Sequence, residues 1–244
     1  MALQFLQSFG FQAVSVPGLT SLKNVAGWTL MGYMRPFSLA TRVLIDVSGG
    51  SGTNTRAAIQ INGSGQMTVQ ARALDGDSLQ TVSAPASTVA AGELFHFAGV
   101  CDYVSKTLQV YKNGIQVGNG TAAGFGAAAS SNTTSNACNI GADAGSASGF
   151  MDGIIDDPRI YNRVLGPAEV LTISSLWGQD KLLDSLTNRY IFNEFPDNFS
   201  VSGPGIYVDY GSNQRNGDAN GAIFVPSLIR FRQGKGRQAV GANW

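Results

Sequence analysis

Two adjacent carboxylates, Asp156 and Asp157, sit in the stretch GFMDGIIDDPRIYNRVL (149 to 165), the most patterned part of an otherwise Gly-, Ala- and Ser-rich chain. Paired acids could hold a metal ion, act as the nucleophile and proton donor of a hydrolase, or brace a structural corner. Strict strand alternation sends the two to opposite faces, which excludes a close catalytic pair. It also places Asp157 beside Arg159, where an exposed ion pair is worth about 0–1 kcal/mol. Pro158 has no N–H to give a ladder, so it predicts a sheet edge or a bulge.

Other groups able to do chemistry are sparse. There are three glutamates, Glu93, Glu169 and Glu194, far apart in the chain. The single histidine, His96, lies between Phe95 and Phe97 and reads as a satisfied strand residue. One histidine inside a strand assembles no Ser-His-Asp order. QGKGRQ lacks the spacing, the following Ser or Thr and the preceding strand of a phosphate loop. Cys101 and Cys138 are too few for a disulfide framework and read as buried free thiols.

The elements around these residues read as strands. In GQMTVQARA, Met67, Val69 and Ala71 alternate with Thr68, Gln70 and Arg72, and KTLQVYKNG alternates likewise before Asn113-Gly114, a hairpin turn. WTLMGYMRP, RVLIDVSGG, AAIQINGSG, LFHFAGVCD and ACNIGAD are further short apolar segments bounded by turn residues. Thirty-one glycines in 244 residues fit many turns, and one all-β domain can reach this length. A helix start is legible at LGPAEVL, with Pro167 at the first helical position and Glu169 near the positive end. QDKLLDSLTN (179 to 188) could be a short helix or a loop. Sixteen basic and sixteen acidic residues cancel, which removes any global electrostatic case for nucleic acid or an anionic membrane. The first residues carry no basic and apolar signal pattern, and no apolar run is long enough to cross a bilayer.

Three segments together resemble the LamG-like, concanavalin A-like jelly roll: WTLMGYMRP, ELFHFAGVCDYVSKTLQVYKNGIQV and CNIGADAGSASGFMDGIIDDPRIYNRVLGPAEV. The last two have the family's order, a strand ending in Tyr-x-Asn-Gly, then Ile-Gly, a loop, and Gly-x-Ile-Asp-Asp-x-Arg-Ile-Tyr-Asn-Arg. The resemblance implies an all-β, antiparallel two-sheet jelly-roll sandwich with one short helix and an extended C-terminal tail. Residues 1–178 form the body. Residues 179–226 complete the same sandwich as permuted first strands or form a separate arm. Residues 227–244, with Arg230, Arg232, Lys235 and Arg237, form the basic tail. RYIFNEFPD and VDYGSNQRNGDANG, near the end, resemble the family's customary opening strand and loop.

The same resemblance implies roles for some residues. Concanavalin A-like folds include glucanases whose strand carries Glu-x-Asp-x-x-Glu, and Glu93, Glu169 and Glu194 do not fall in that pattern. Many LamG-like sandwiches hold a structural calcium, for which Asp156 and Asp209 are the candidates; the alternative is a hydrogen-bonded corner without metal. Sugar recognition would use the rim loops SGGSGTNTR, GNGTAAGFGAAASSNTTSN and ADAGSASG, in which Phe125 is the one aromatic. The expected function is non-enzymatic: a surface component of a bacteriophage virion, as decoration or fibre, contacting other virion proteins or itself as a homo-oligomer. A carbohydrate-binding, lectin-like module or adhesin, with or without calcium, is the alternative, and a surface glycan is its partner.

Overall fold

The computed structural model describes residues 2–6, 12–17, 19–49, 54–125, 130, 137–144, 148–194, 200–212 and 214–226. Its strands are β1 (Ala2–Phe5), β2 (Ala13–Pro17), β3 (Gly27–Pro36), β4 (Arg42–Gly49), β5 (Asn54–Ile61), β6 (Met67–Ala71), β7 (Gln80–Ser83) and β8 (Phe95–Asp102). They continue with β9 (Thr107–Lys112), β10 (Ile115–Thr121), β11 (Ala137–Ile140), β12 (Gly153–Tyr161), β13 (Leu186–Arg189), β14 (Ser200–Tyr207) and β15 (Gly217–Val225). Among the described residues the one α-helix, α1 (Pro167–Ser175), lies between β12 and β13.

All strand pairs are antiparallel and run in the order β10-β9-β8-β3-β12-β1-β15-β2-β11-β4-β5-β6-β7, with β13 beside β12 and β14 beside β15. The ladder curls on itself, so the expected jelly-roll sandwich is a barrel-like one whose two layers belong to a single sheet. Its ends approach: a Cβ added to Gly120 of β10 would lie 2.7 Å from Val82 of β7. Between the layers, alternate residues such as Trp28, Leu30, Met34, Phe95 and Phe97 meet Val14, Val16, Ile45, Ile59 and Val69. Each large apolar side chain buried there contributes about 1.5–3 kcal/mol. The layers approach closely at Gly99, where a Cβ would stand 2.4 Å from Ile59 Cγ2.

Helix α1 covers the outer face of the first layer, packing Val170 and Ile173 onto Met31, Ala98, Val100, Tyr111 and Tyr161. Its start follows the expected chemistry. The Gly166 N–H donates to Glu169 Oε2 at 2.8 Å, and Arg163 pairs with the same carboxylate at 2.7 Å. The Asn113-Gly114 turn, with φ of 51° and 81°, passes beneath the helix, and a Cβ on Gly114 would sit 2.8 Å from Leu171 Cα. Residues 179–185 form no helix; they run as loop and turn into β13. β13 pairs with β12 through Arg159↔Arg189, and β15 lies between β1 and β2. The basic stretch 227–244 lies outside the described residues.

Strand β12 departs from strict alternation. β12 is interior rather than an edge, and its register with β3 shifts between Asp156 and Arg159. Asp157 there has φ of 49°, so Pro158 marks a bulge. The bulge inverts the parity: Ile155 faces the core, yet after it Ile160 does so and Tyr161 faces the helix.

Candidate functional site

The bulge decides where the two aspartates go. Asp156 is registered opposite Tyr33, whose hydroxyl donates to the carbonyls of Ile173 and Ser174 in α1, so Asp156 belongs to the helix side. Asp157 is on that side too, because it meets Arg159. The expectation of opposite faces is therefore corrected, the cause being the one extra residue inserted against β3. The ion pair expected between Asp157 and Arg159 is present, and it is buried rather than exposed. Asp157 and Arg159 are 2 % and 1 % exposed, and Arg159 simultaneously binds Asp180 at 2.8 Å while Arg189 binds Asp157 at 2.7 Å. Burial alone would raise the Asp180 carboxyl, but the Arg159 hydrogen bonds and charge hold it below the usual range. Two cations and two anions compensate one another, as burial demands. This cluster anchors the 176–184 segment to the sheet; Arg189 also donates to Gly178 O at 2.8 Å, and Tyr161 to Leu182 O at 3.0 Å.

Asp209 has a different task. Its carboxylate accepts from Asn188 Nδ2 and from the main-chain N–H groups of Arg189, Gly211 and Arg215, at 2.7–2.9 Å. Asn188 is registered with the core-facing Ile160, so Asp209 is held on the core side while Asp156 is on the helix side. The structure does not bring the two together. Both Asp209 oxygens face N–H donors, and among the described residues no three His, Cys, Asp or Glu side chains cluster to hold a metal. Calcium needs six to eight oxygen ligands. This donor set does not fit it.

The other candidates are occupied structurally. Glu93 pairs with Lys112, Glu169 caps α1, and Glu194 accepts the Val208 N–H, so the three glutamates do not converge. His96 is 1 % exposed, edge-on to Tyr33, and burial with help from Arg159 pushes its pKa down to about 3. Its Nδ1 has no hydrogen-bond partner among the described residues, which corrects the expectation of a satisfied ring. Cys101 and Cys138 are buried and form no disulfide. Phe125 is buried against Tyr103 and is closed to a sugar, a second correction.

Polar groups do gather on the outer face of the second layer. Cross-strand partners share a face, and the register aligns Asp218, Ser15, Asn139, Asp46, Ala58, Gln70 and Thr81 across seven strands. At about 4.8 Å per strand the row is roughly 29 Å long. Beside it, Gln60 opposes Thr68 and Thr68 opposes Ser83. Asp46 and Asn139 are the deep part, at 1 % and 7 % exposure. They hold Asp143 and Ala144: the Ala144 N–H donates to Asp46 Oδ2 at 2.9 Å and Asn139 Nδ2 to Asp143 O at 2.8 Å. Residues 145–147 of that loop, like 50–53, 126–129 and 131–136 of the other expected rim loops, lie outside the described residues. The T-V-Q-A alternation showed Thr68 and Gln70 on one face, but nothing in the sequence aligned them with Asn139 or Asp218.

On the opposite side, at the end of α1, Leu94, Asn113, Ser174, Ser175 and Trp177 line a cavity of about 240 Å³. Sequence reasoning missed Trp177; the only signal was a large aromatic between a helix and Gly178.

Solved structures share this fold. A putatively named carbohydrate binding protein from Bacteroides ovatus matches with a TM-score of 0.61 and 15% identity over 92% of this chain and 59% of its own. The present chain thus spans less than two thirds of that protein. A SAP-like pentraxin from Limulus polyphemus matches at 0.54 and 17% identity, over 71% of this chain and 81% of the other. The CBM40 of the Ruminococcus gnavus IT-sialidase, solved with α2,3-sialyllactose, matches at 0.54 and 18%, over 71% of this chain and 98% of the other. No curated protein matches the sequence. A family model matches residues 9–171, from the strands of both layers to the middle of α1. With that match and this topology, the chain belongs to the laminin G-type family of the concanavalin A-like lectin/glucanases superfamily.

Proposed function

We propose that this chain is a non-catalytic carbohydrate-binding module that receives its glycan on the polar outer face of the second layer. One observation carries the reading: the registered row from Asp218 to Thr81, whose members Asp218, Ser15, Gln70 and Thr81 stay half-buried or exposed and offer carboxylate, hydroxyl and amide groups on rigid strands. Such groups both donate and accept, as sugar hydroxyls require. Strands fix them more firmly than loops do. The printed names of the B. ovatus and R. gnavus proteins support a carbohydrate ligand, and the dispersed glutamates support a binding rather than hydrolytic role. The expected role on a virion surface, with self-association or virion partners, finds no support in the comparisons.

The test is a glycan microarray followed by calorimetry on the best ligand, using wild type, Gln60→Ala and Gln70→Ala. Neither glutamine side chain is in the core, so both variants keep the wild-type Tm. Affinity is expected to fall about tenfold for each, the scale of one lost hydrogen bond of about 1.4 kcal/mol. No bound glycan, or wild-type affinity in both variants, would overturn the reading.

A further inference from the structure

The geometry points to a second ligand site, for one neutral pyranose ring, in the cavity at the C-terminal end of α1. The inference rests on the carbohydrate-binding reading but uses none of the residues of the polar row. Trp177 has φ of 51°, a backbone conformation that costs an L-residue about 1–2 kcal/mol. Ending the helix does not require it, since Gly178 follows with φ of 79° and could take the left-handed turn alone. What the strained conformation achieves is to lay the indole on Tyr33, at 5.4 Å between ring centroids and 20° between planes, while it lines the cavity.

The walls are rigid. Tyr33 is tied to the last turn of α1 at 3.1–3.2 Å, and Arg189 holds Gly178 O beside Trp177. A preformed site loses less entropy on binding. The polar groups are also open. Asn113 spends its Oδ1 on the His96 N–H at 2.9 Å, which leaves both amide hydrogens without a protein partner among the described residues. Ser174 Oγ makes no hydrogen bond there either, and Ser175 Oγ donates to Thr172 O but retains acceptor capacity.

Charge narrows the ligand. The lining residues include no ionisable side chain, and the cavity adjoins the negative end of the helix. An acidic sugar would meet carbonyl dipoles and no cation among these lining residues. A neutral ring can donate to the serines, accept from Asn113 and place its C–H face on the indole. About 240 Å³ is below the usual size of a drug-like pocket and suits a single ring.

The test titrates methyl glycosides of glucose, galactose and mannose, and N-acetylneuraminic acid, against the full chain by saturation-transfer NMR and tryptophan fluorescence. Variants are Asn113→Asp, which keeps the acceptor and the turn, Ser174→Ala, Trp177→Phe and Gln70→Ala. Saturable binding of a neutral glycoside is expected, weakened at least tenfold in Asn113→Asp and Ser174→Ala, unchanged in Gln70→Ala, and without a fluorescence response in Trp177→Phe. Unchanged affinity in both Asn113→Asp and Ser174→Ala, no neutral glycoside bound, or preference for the acidic sugar would overturn it. If microarray binding sensitive to Gln70 persists, only the second site falls; if it is absent as well, the carbohydrate reading falls with it.

Discussion

Arg159 lies flat against Asp180, its Nη1 2.9 Å from Oδ1 and its Nη2 2.8 Å from Oδ2, although they are 21 positions apart in the chain with all of α1 between them. The same guanidinium reaches back to Asp157 at 2.6 Å, so one side chain ties the bulge of β12 to the loop beyond the helix. Planar, two-point pairing of this kind is what arginine supplies and lysine cannot. The cluster fixes the course of the chain between α1 and β13 and, with it, the position of Trp177.

Removing the shared cation should therefore be costly. Arg159→Met leaves the Asp157 and Asp180 carboxylates buried with only Arg189 nearby, and a loss of about 3–5 kcal/mol is expected. Urea denaturation measures it. Asp180→Asn keeps one hydrogen-bond acceptor and should cost less. A loss below about 1 kcal/mol in Arg159→Met would show the cluster to be dispensable.

Acid should destabilise the fold through His96. Its folded pKa of about 3 lies below the unfolded value near 6.5, so in that window the unfolded chain binds a proton that the folded chain refuses. The stabilisation is complete above pH 6.5 and declines as pH falls, by about 1.4 kcal/mol per unit once the unfolded imidazole is charged. Asp180, with its depressed pKa, adds to the loss only below the ordinary carboxylate range. His96→Phe also removes the unpartnered Nδ1, and Tm should vary far less between pH 4 and 6.5. An equally steep profile in that variant would place the sensitivity elsewhere.

Asp209 should matter without metal. Asp209→Ala strands donors that now meet its carboxylate, and about 2–4 kcal/mol is the expected cost. Calcium and EDTA should leave the wild-type Tm the same in differential scanning calorimetry. A calcium-dependent rise abolished by Asp209→Ala would refute the hydrogen-bonded corner.

Gly114→Ala should loosen the helix from the sheet. The added Cβ meets Leu171 Cα at 2.8 Å, and the residue must keep φ of 81°. A loss above about 1 kcal/mol is expected from the backbone strain alone. Faster amide exchange in 167–175 than in β8 or β9 would locate it; uniform exchange would not.

Local chemistry was legible in the sequence wherever it is decided within a few residues. Alternation marked the strands, Asn113-Gly114 marked its hairpin, Gly166-Pro167 with Glu169 marked the helix start, and GIIDDPRIYNR carried the family resemblance. Pro158 even announced an irregularity. Tertiary structure alone decided which way that irregularity turned Asp156 and Asp157, since the extra residue of a bulge is defined by the partner strand. It also decided that Asp180, from a segment that read as helix or loop, joins Arg159. Phe125 and Asp209 carried no local sign of what would surround them. The polar row is the clearest case: Ser15 stands between Asn139 and Asp218, residues whose distance along the chain says nothing about their pairing. Register between distant strands is set by burying one face of each in a common core, and only the folded chain holds that information.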